Sequence, residues 1–219
     1  MEESDSVEHL NSSLTDLMTS LMVIFILLLL VFISGSASKD YAVRQVLLKK
    51  LEHELIPKGF GNDNIKPDPK DPTAILIIVP NRLMNFEVSK SDLRPDGADF
   101  LRTHIPQLAE IVCAPEFRNS IDSIVVEGHS DDSGFRGSSK EESENRNLKL
   151  SQDRSMQVVS TALDDLQEFP TQRACFLTKL SASGRGQQDQ ELTPENSRRV
   201  IFKIRVKAKE IAKVATLVK

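Results

Sequence analysis

Ile121-Asp-Ser-Ile-Val-Val-Glu-Gly-His-Ser-Asp-Asp-Ser-Gly134 is the stretch on which the fold turns. Its first half, Ile121 to Glu127, is rich in β-branched residues and predicts a strand, and it runs without a spacer into a polar turn bounded by Gly128 and Gly134. Working outward, Ala74-Ile-Leu-Ile-Ile-Val79 is a short apolar run ended by Pro80, which suits a second buried strand. A helix is expected over 95–112. Another, over 147–166, places Met156, Val159, Ala162, Leu163 and Leu166 on one face. Ala174 to Ala182 is a further strand candidate. The clearest strand is Arg199 to Val206, where Val200, Phe202, Ile204 and Val206 alternate with Ile201, Lys203 and Arg205. Strands separated by helices of this length predict β-α-β-α-β-β, an α+β sandwich.

Toward the N-terminus, residues 39–55 read as a helix with Val43, Val46, Leu47, Leu51 and Leu55 on one stripe, stopped at Pro57 and Gly59. Residues 61–72, rich in Pro, Asp and Gly, read as a linker. Before them lies an uncharged run, Leu17 to Ser38, whose apolar core from Leu17 to Ile33 would rise about 25 Å as a helix. With the turn that carries Asp16, this is long enough to span a bilayer. A secretory signal peptide competes, because Ser34-Gly-Ser-Ala-Ser38 resembles a cleavage region. Against it stand an apolar core longer than a usual h-region and a leading segment with Glu2, Glu3, Asp5 and Glu8 but no Lys or Arg. The expected organisation is a short acidic N-terminus over 1–13, a transmembrane helix over 14–35, a connector helix and linker over 36–72, and one domain over 73–219. That domain ends in a basic tail, within which Ile211, Val214, Ala215 and Val218 have helical spacing.

Composition narrows the function. The chain has 219 residues, 27% of them charged, no Trp, one Tyr and a formal net charge of −4. Mild acidity argues against nucleic acid as a partner. Neither metal-ligand spacing nor a nucleophile elbow occurs, so no enzyme, metal or cofactor is expected. Cys113 and Cys175 fit a disulfide in an oxidising compartment or two packed thiols in a reducing one, packed thiols being the plainer expectation. Lys39, Arg44, Lys49 and Lys50 follow the apolar run, and by the positive-inside rule alone they would keep the C-terminal bulk in the cytoplasm. Asp16 matters because a carboxylate entering a bilayer is costly unless it pairs, protonates or serves an ion path. As a helix-start residue it also has a plainer role.

Four ordered motifs then carry a resemblance. Glu127-Gly-His-Ser-Asp-Asp-Ser-Gly134, Asn147-Leu-Lys-Leu-Ser-Gln-Asp-Arg154, Gly184-Arg-Gly186 and Asn196-Ser-Arg-Arg-Val200 together resemble the peptidoglycan-binding C-terminal domain of the OmpA and MotB families. The resemblance implies that Asp131 and Arg154 hold the zwitterionic diaminopimelate group of the peptide stem, with Ser130 where the family usually has Thr; Asn147 and Ser151 read as polar supports of the site or as a helix cap. It implies also that one of the Arg198–Arg199 pair supports the site, Arg199 being the one assigned. A carboxylate for the ligand's ammonium and a guanidinium for its carboxylate make a zwitterion-selective pair. The charged insert 135–146 is longer than most members of the family carry.

Thr15-Asp-Leu-Met-Thr-Ser-Leu-Met22 resembles the motif that opens the transmembrane helix of MotB-type stator subunits. That resemblance implies an ion-carrying Asp16 with Thr19 and Ser20 on its helix face, and H+ or Na+ as the transported ion. It implies a homodimer of this chain inside a pentameric ring of a MotA-like or ZorA-like polytopic partner, an inner-membrane location with a cytoplasmic N-terminus, and a periplasmic domain on peptidoglycan. The short acidic N-terminus is most similar to ZorB of Zorya anti-phage systems. A flagellar MotB-type subunit and a passive peptidoglycan tether that carries no ion remain the alternatives.

Overall fold

The strongest alternation in the sequence lies at the centre of the sheet. In the computed structural model, which describes residues 2–84, 86 and 89–207 and places the side chains of all of these except 2–14 and 32–42, the last strand pairs on both sides. The elements in chain order are α1 (Glu2–Leu55), β1 (Ile65–Pro67), β2 (Ala74–Pro80), α2 (Asn81–Met84), α3 (Pro95–Val112), β3 (Ile121–His129), α4 (Lys140–Asp164), α5 (Pro170–Leu177), β4 (Leu180–Gly186), α6 (Pro194–Ser197) and β5 (Arg199–Val206). The sheet order is β1-β2-β5-β3-β4. Phe202 of β5 lies opposite Ile77 of β2 and Val126 of β3, both antiparallel, while β4 joins β3 in parallel. Val200, Phe202, Ile204 and Val206 are buried in the core with Ile75, Ile77, Ile124 and Val126. The mixed α+β class and the strands β2, β3 and β5 agree with the sequence.

Two compact units divide the chain, Met1–Asp40 and Tyr41–Lys219. Within the first, every side chain described is exposed, and the large apolar ones from Leu17 to Val31 are between 42% and 70% exposed. Among the described residues no helix is long and apolar enough to cross a membrane. The placed side chains cover 15–31 of the expected span 14–35, and the remainder of that span lies outside them.

In the second unit, residues expected to form a connector are part of the domain. Val43, Leu47, Leu48, Leu51 and Leu55 are buried, with Leu47 and Leu51 fully so, each contributing about 2 kcal/mol by removal of apolar surface from water. Val46 is exposed instead, off the stripe that Leu48 joins. The expected linker 61–72 contains β1, whose Ile65 is buried opposite Ile77. Its Asp68 and Asp71 pair with Lys203, and Asp71 also with Arg205, both of β5. Polarity in this segment serves ion pairing to the sheet.

Three further expectations are corrected. Residues 174–182 are not one strand: Pro170 opens a helix that ends at Leu177, and β4 begins at Leu180, where parallel pairing to β3 sets its register. Helix α4 starts inside the insert, because Ser139 caps it; Ser139 Oγ accepts the Glu142 N–H and the Glu142 carboxylate accepts the Ser139 N–H. On that helix Met156 is exposed and Val159 and Leu163 half-buried, while Val158, Ala162 and the following Leu166 reach the core. Cys113, at the end of α3, and Cys175, on α5, form a disulfide with Cα atoms 6.1 Å apart, where packed thiols were expected. The basic tail beyond Lys207 lies outside the described residues.

Candidate functional site

A cavity of about 400 Å³ opens where β3 ends and α4 crosses the sheet, lined among others by Ser130, Asp131, Asn147, Arg154, Arg198 and Phe135. Its position follows from glycines. A Cβ on Gly128 would stand 2.1 Å from the backbone oxygen of Ser151, and one on Gly184 would stand 2.7 Å from the backbone nitrogen of Gln152. Only bare backbone lets α4 approach so closely. At that distance the helix buries small polar side chains in place of apolar ones: Ser143, Asn147, Ser151 and Ser155 are all buried. Their polar atoms are bonded locally. Ser151 Oγ donates to the Leu148 carbonyl (2.7 Å) and accepts the Gly186 N–H (2.8 Å), and Asn147 Nδ2 donates to the Ser133 carbonyl (3.0 Å).

Asp131 sits in the turn after β3, 6% exposed. Its Oδ1 accepts the Ser133 N–H at 3.2 Å, which ties the turn to itself, and its Oδ2 accepts a hydrogen bond from Arg198 Nη1. Arg154 is also 6% exposed. Its Nε donates to the Lys90 carbonyl (3.0 Å), and its guanidinium carbon lies 5.0 Å from the Phe86 ring centroid, within cation–π range. Burial, and then the positive charge of Arg198, push the Arg154 guanidinium down to about 10, with Asp131 opposing. It therefore stays cationic at neutral pH. Ser130 donates its N–H to the Gly186 carbonyl (2.8 Å), while its buried Oγ has no hydrogen-bond partner among the described residues.

The structure thus brings together Ser130, Asp131, Asn147 and Arg154, and it separates Arg199 from them. Arg199 points to the opposite face of the sheet. There its Nη2 donates to the Asp189 carbonyl (2.8 Å) and stands 3.5 Å from a Glu191 oxygen, in a second cleft with Glu127, His129 and Lys203. Burial pulls its pKa below the usual value, opposed by Glu191, Asp189 and Glu127. The arginine of the Asn196-Ser-Arg-Arg-Val200 motif that lines the cavity is Arg198. Strand parity carried the signal: Val200 faces the helices, so of the two arginines the even-numbered one shares its side. Phe86 and Phe135, which the motifs do not single out, also line the cavity. Arg146, from the insert, stacks its guanidinium carbon 4.5 Å from the Phe135 ring centroid.

Asp16, Thr19 and Ser20 belong to the first unit and are exposed on α1. Thr19 Oγ1 donates to the Asp16 carbonyl at 2.9 Å, so this hydroxyl is engaged with its own helix. Among the described residues no group of His, Cys, Asp and Glu is arranged to hold a metal ion.

No protein-family model matches the chain and no curated protein matches it. Solved structures do. A MotB-like protein from Desulfovibrio vulgaris aligns at 18% identity over 78% of this chain and 96% of its own, with a TM-score of 0.55. Weaker alignments reach the cell wall anchor of the T6SS from Pseudomonas aeruginosa (16% identity, 74% and 97% covered, TM-score 0.45) and the periplasmic domain of MotB (18%, 68% and 71%, 0.44). The likeness to the first is one of fold: this chain has a MotB-like α+β fold.

Proposed function

We propose that this chain is a peptidoglycan-anchored stator subunit of an ion-driven membrane motor. One observation carries the wall-binding part: Asp131 and Arg154, nine-tenths buried and of opposite charge, line the same cavity at the end of β3. A diaminopimelate group offers the complement, an ammonium for Asp131 and a carboxylate for Arg154. Around them Asn147 holds the turn through Ser133, and Ser130 lends a hydroxyl that has no partner among the described residues. The MotB-like fold supports the assignment, and so does the Cys113–Cys175 disulfide, since such bonds persist in oxidising compartments such as the periplasm. No catalytic step is assigned to the pocket, which binds and holds.

The motor part rests on the N-terminal sequence. The exposed apolar side chains from Leu17 to Val31 need a non-aqueous surrounding, and a bilayer or a ring of partner helices supplies it. In this assignment residues 14–35 span the inner membrane, two copies of the chain sit inside a MotA-like or ZorA-like ring, and Asp16 loads and releases H+ or Na+ beside Ser20 and Thr19. Of the motors of this type, the acidic N-terminus favours the ZorB subunit of a Zorya anti-phage system.

Arg154→Ala in the full chain tests the pocket. Co-sedimentation with purified peptidoglycan should fall at least about 10-fold, the cost of losing a charge-assisted pair, with an unchanged circular dichroism spectrum. Equal pelleting would remove the site assignment. Asp16→Asn in the intact native gene cluster tests the motor: lost phage protection at normal membrane levels is the expected result. Lost motility alone would indicate a flagellar stator, and loss of neither a passive tether.

A further inference from the structure

The face of the sheet turned away from α4 holds a cleft of about 300 Å³, walled by residues 66–70 on one side and 185–191 on the other. Lys70 Nζ donates to Asp189 Oδ1 and joins the two walls. Part of the floor is a row in register across three strands, Ile78 of β2, Ile201 of β5 and Glu127 of β3, with Leu76 next to Ile78 on the same face. His129 lines the cleft and is only 2% exposed. Its Nδ1 lies 3.1 Å from the Gln188 carbonyl, which can only accept, so Nδ1 carries the hydrogen and Nε2 of the neutral ring is an acceptor. That Nε2 is buried without a hydrogen-bond partner among the described residues, and the Glu127 carboxylate stands 3.8 Å from it, beyond hydrogen-bond reach. Two acceptors therefore stand side by side next to an apolar floor, and a group that donates to both would satisfy them.

The charge of that group is constrained. An anion would meet the Glu127 carboxylate. Burial raises the Glu127 carboxyl, but His129, Arg185 and Lys203 outweigh it and keep the group below its usual value. The positive field of Arg185 and Lys203 thus already falls on this carboxylate, and an ammonium would enter against it. Neutral hydroxyls donate to both acceptors and can in turn accept from Arg185 or Lys203. We infer that this cleft is a second binding site, for a neutral sugar: adjacent hydroxyls of one ring donate to Glu127 and to His129 Nε2, and the C–H face of the ring lies on Leu76 and Ile78. The site is separate from the cavity of Asp131 and Arg154 and does not rest on the assignment made for it.

The test uses the full chain in a sugar-free detergent, titrated calorimetrically with neutral tetramers of N-acetylglucosamine and of glucose, with putrescine as the cationic probe and a galacturonic acid tetramer as the anionic one. At least one neutral tetramer should bind with a Kd of about 1 mM or tighter, and at least about 10-fold more tightly than either charged probe. A preference for N-acetylglucosamine assigns the site to wall glycan and a preference for glucose to another envelope polysaccharide; either supports the inference. Glu127→Gln, which exchanges a charged acceptor for a weaker one, should reduce sugar binding about 10-fold at an unchanged melting temperature. Leu76→Glu, which sets a charge on the apolar floor, should reduce it at least as much. Failure of both neutral tetramers to bind the native chain overturns the inference, and so does tighter binding of putrescine or galacturonate; these readings need no variant. Sugar binding that stays within about 2-fold of native in both folded variants places the sugar elsewhere and overturns it as well.

Discussion

The two halves of α4 bury their inner faces by opposite chemistry. From Ser143 to Ser155 the buried residues are serine, asparagine and arginine, and the helix backbone at Leu148, Ser151 and Gln152 lies against glycines of β3 and β4; from Val158 to Ala162 the helix presents aliphatic groups to the core. The first half is held by hydrogen bonds and close approach, the second by removal of apolar surface from water. The lesson is a division of labour along one helix. Its polar end shapes a cavity, its apolar end fixes the helix on the sheet, and each should fail in its own way.

Gly128→Ala should break the comparison most severely. The new Cβ meets the Ser151 backbone oxygen and carbon at 2.1 and 3.0 Å, and neither belongs to a flexible side chain. Overpacking of this kind costs about 3 kcal/mol, so thermal unfolding should shift down sharply, and displacement of Asn147 and Arg154 should abolish peptidoglycan retention. Val158→Ala should separate the two halves. Losing two buried methyls costs about 2 kcal/mol in a chemical unfolding titration, while retention of peptidoglycan by the folded protein stays within about 2-fold of native.

Acid sensitivity sharpens the contrast, because a strong carboxylate perturbation lies off α4 altogether. Burial disfavours the charged Asp71 carboxylate, but hydrogen bonds from the Thr73 hydroxyl, Arg205 Nε and the Thr73 N–H, with the charge of Lys203, outweigh it and hold the carboxyl at about 2. Its ordinary value is 3.8. A depressed carboxylate adds stability that is fully present above its unfolded pKa and is lost as pH falls through the folded value. Asp71→Asn should therefore lower stability by about 1 to 2 kcal/mol at pH 7, with the difference from native shrinking below about pH 4 and vanishing only once the pH is below the folded value of about 2. A difference that stays constant with pH would assign Asp71 a purely geometric role.

How much of this was legible follows the same division. Where burial is apolar, the sequence announced it: the alternation through Val200, Phe202, Ile204 and Val206 marked β5, and the run from Ile75 to Val79 marked β2. Where burial is polar, periodicity misled. Met156 was placed on the inner face of α4 because it is apolar, and Ser155 was passed over although it is fully buried. The start of α4 did carry a signal, Ser139 with Glu142 three residues on, hidden within a charged insert. Arg198 was distinguishable from Arg199 by parity alone. Neither the bond between Cys113 and Cys175, 62 residues apart, nor the parallel register of β4 leaves a local trace. Asp131 and Arg154 came from the family resemblance that the four ordered motifs carry, and the structure places both at one cavity.

The two edges of the sheet bear on how copies of the chain can meet. At one margin β1 is three residues long and ends in Pro67, which has no N–H to offer a neighbour. At the other, the Gly184 N–H donates to Gln152 Oε1 and the Gly186 N–H to Ser151 Oγ, both side chains of α4. One donor is thus missing at the end of β1, and two donors of β4 are occupied by side chains. Both features work against strand-by-strand polymerisation at the margins of the sheet.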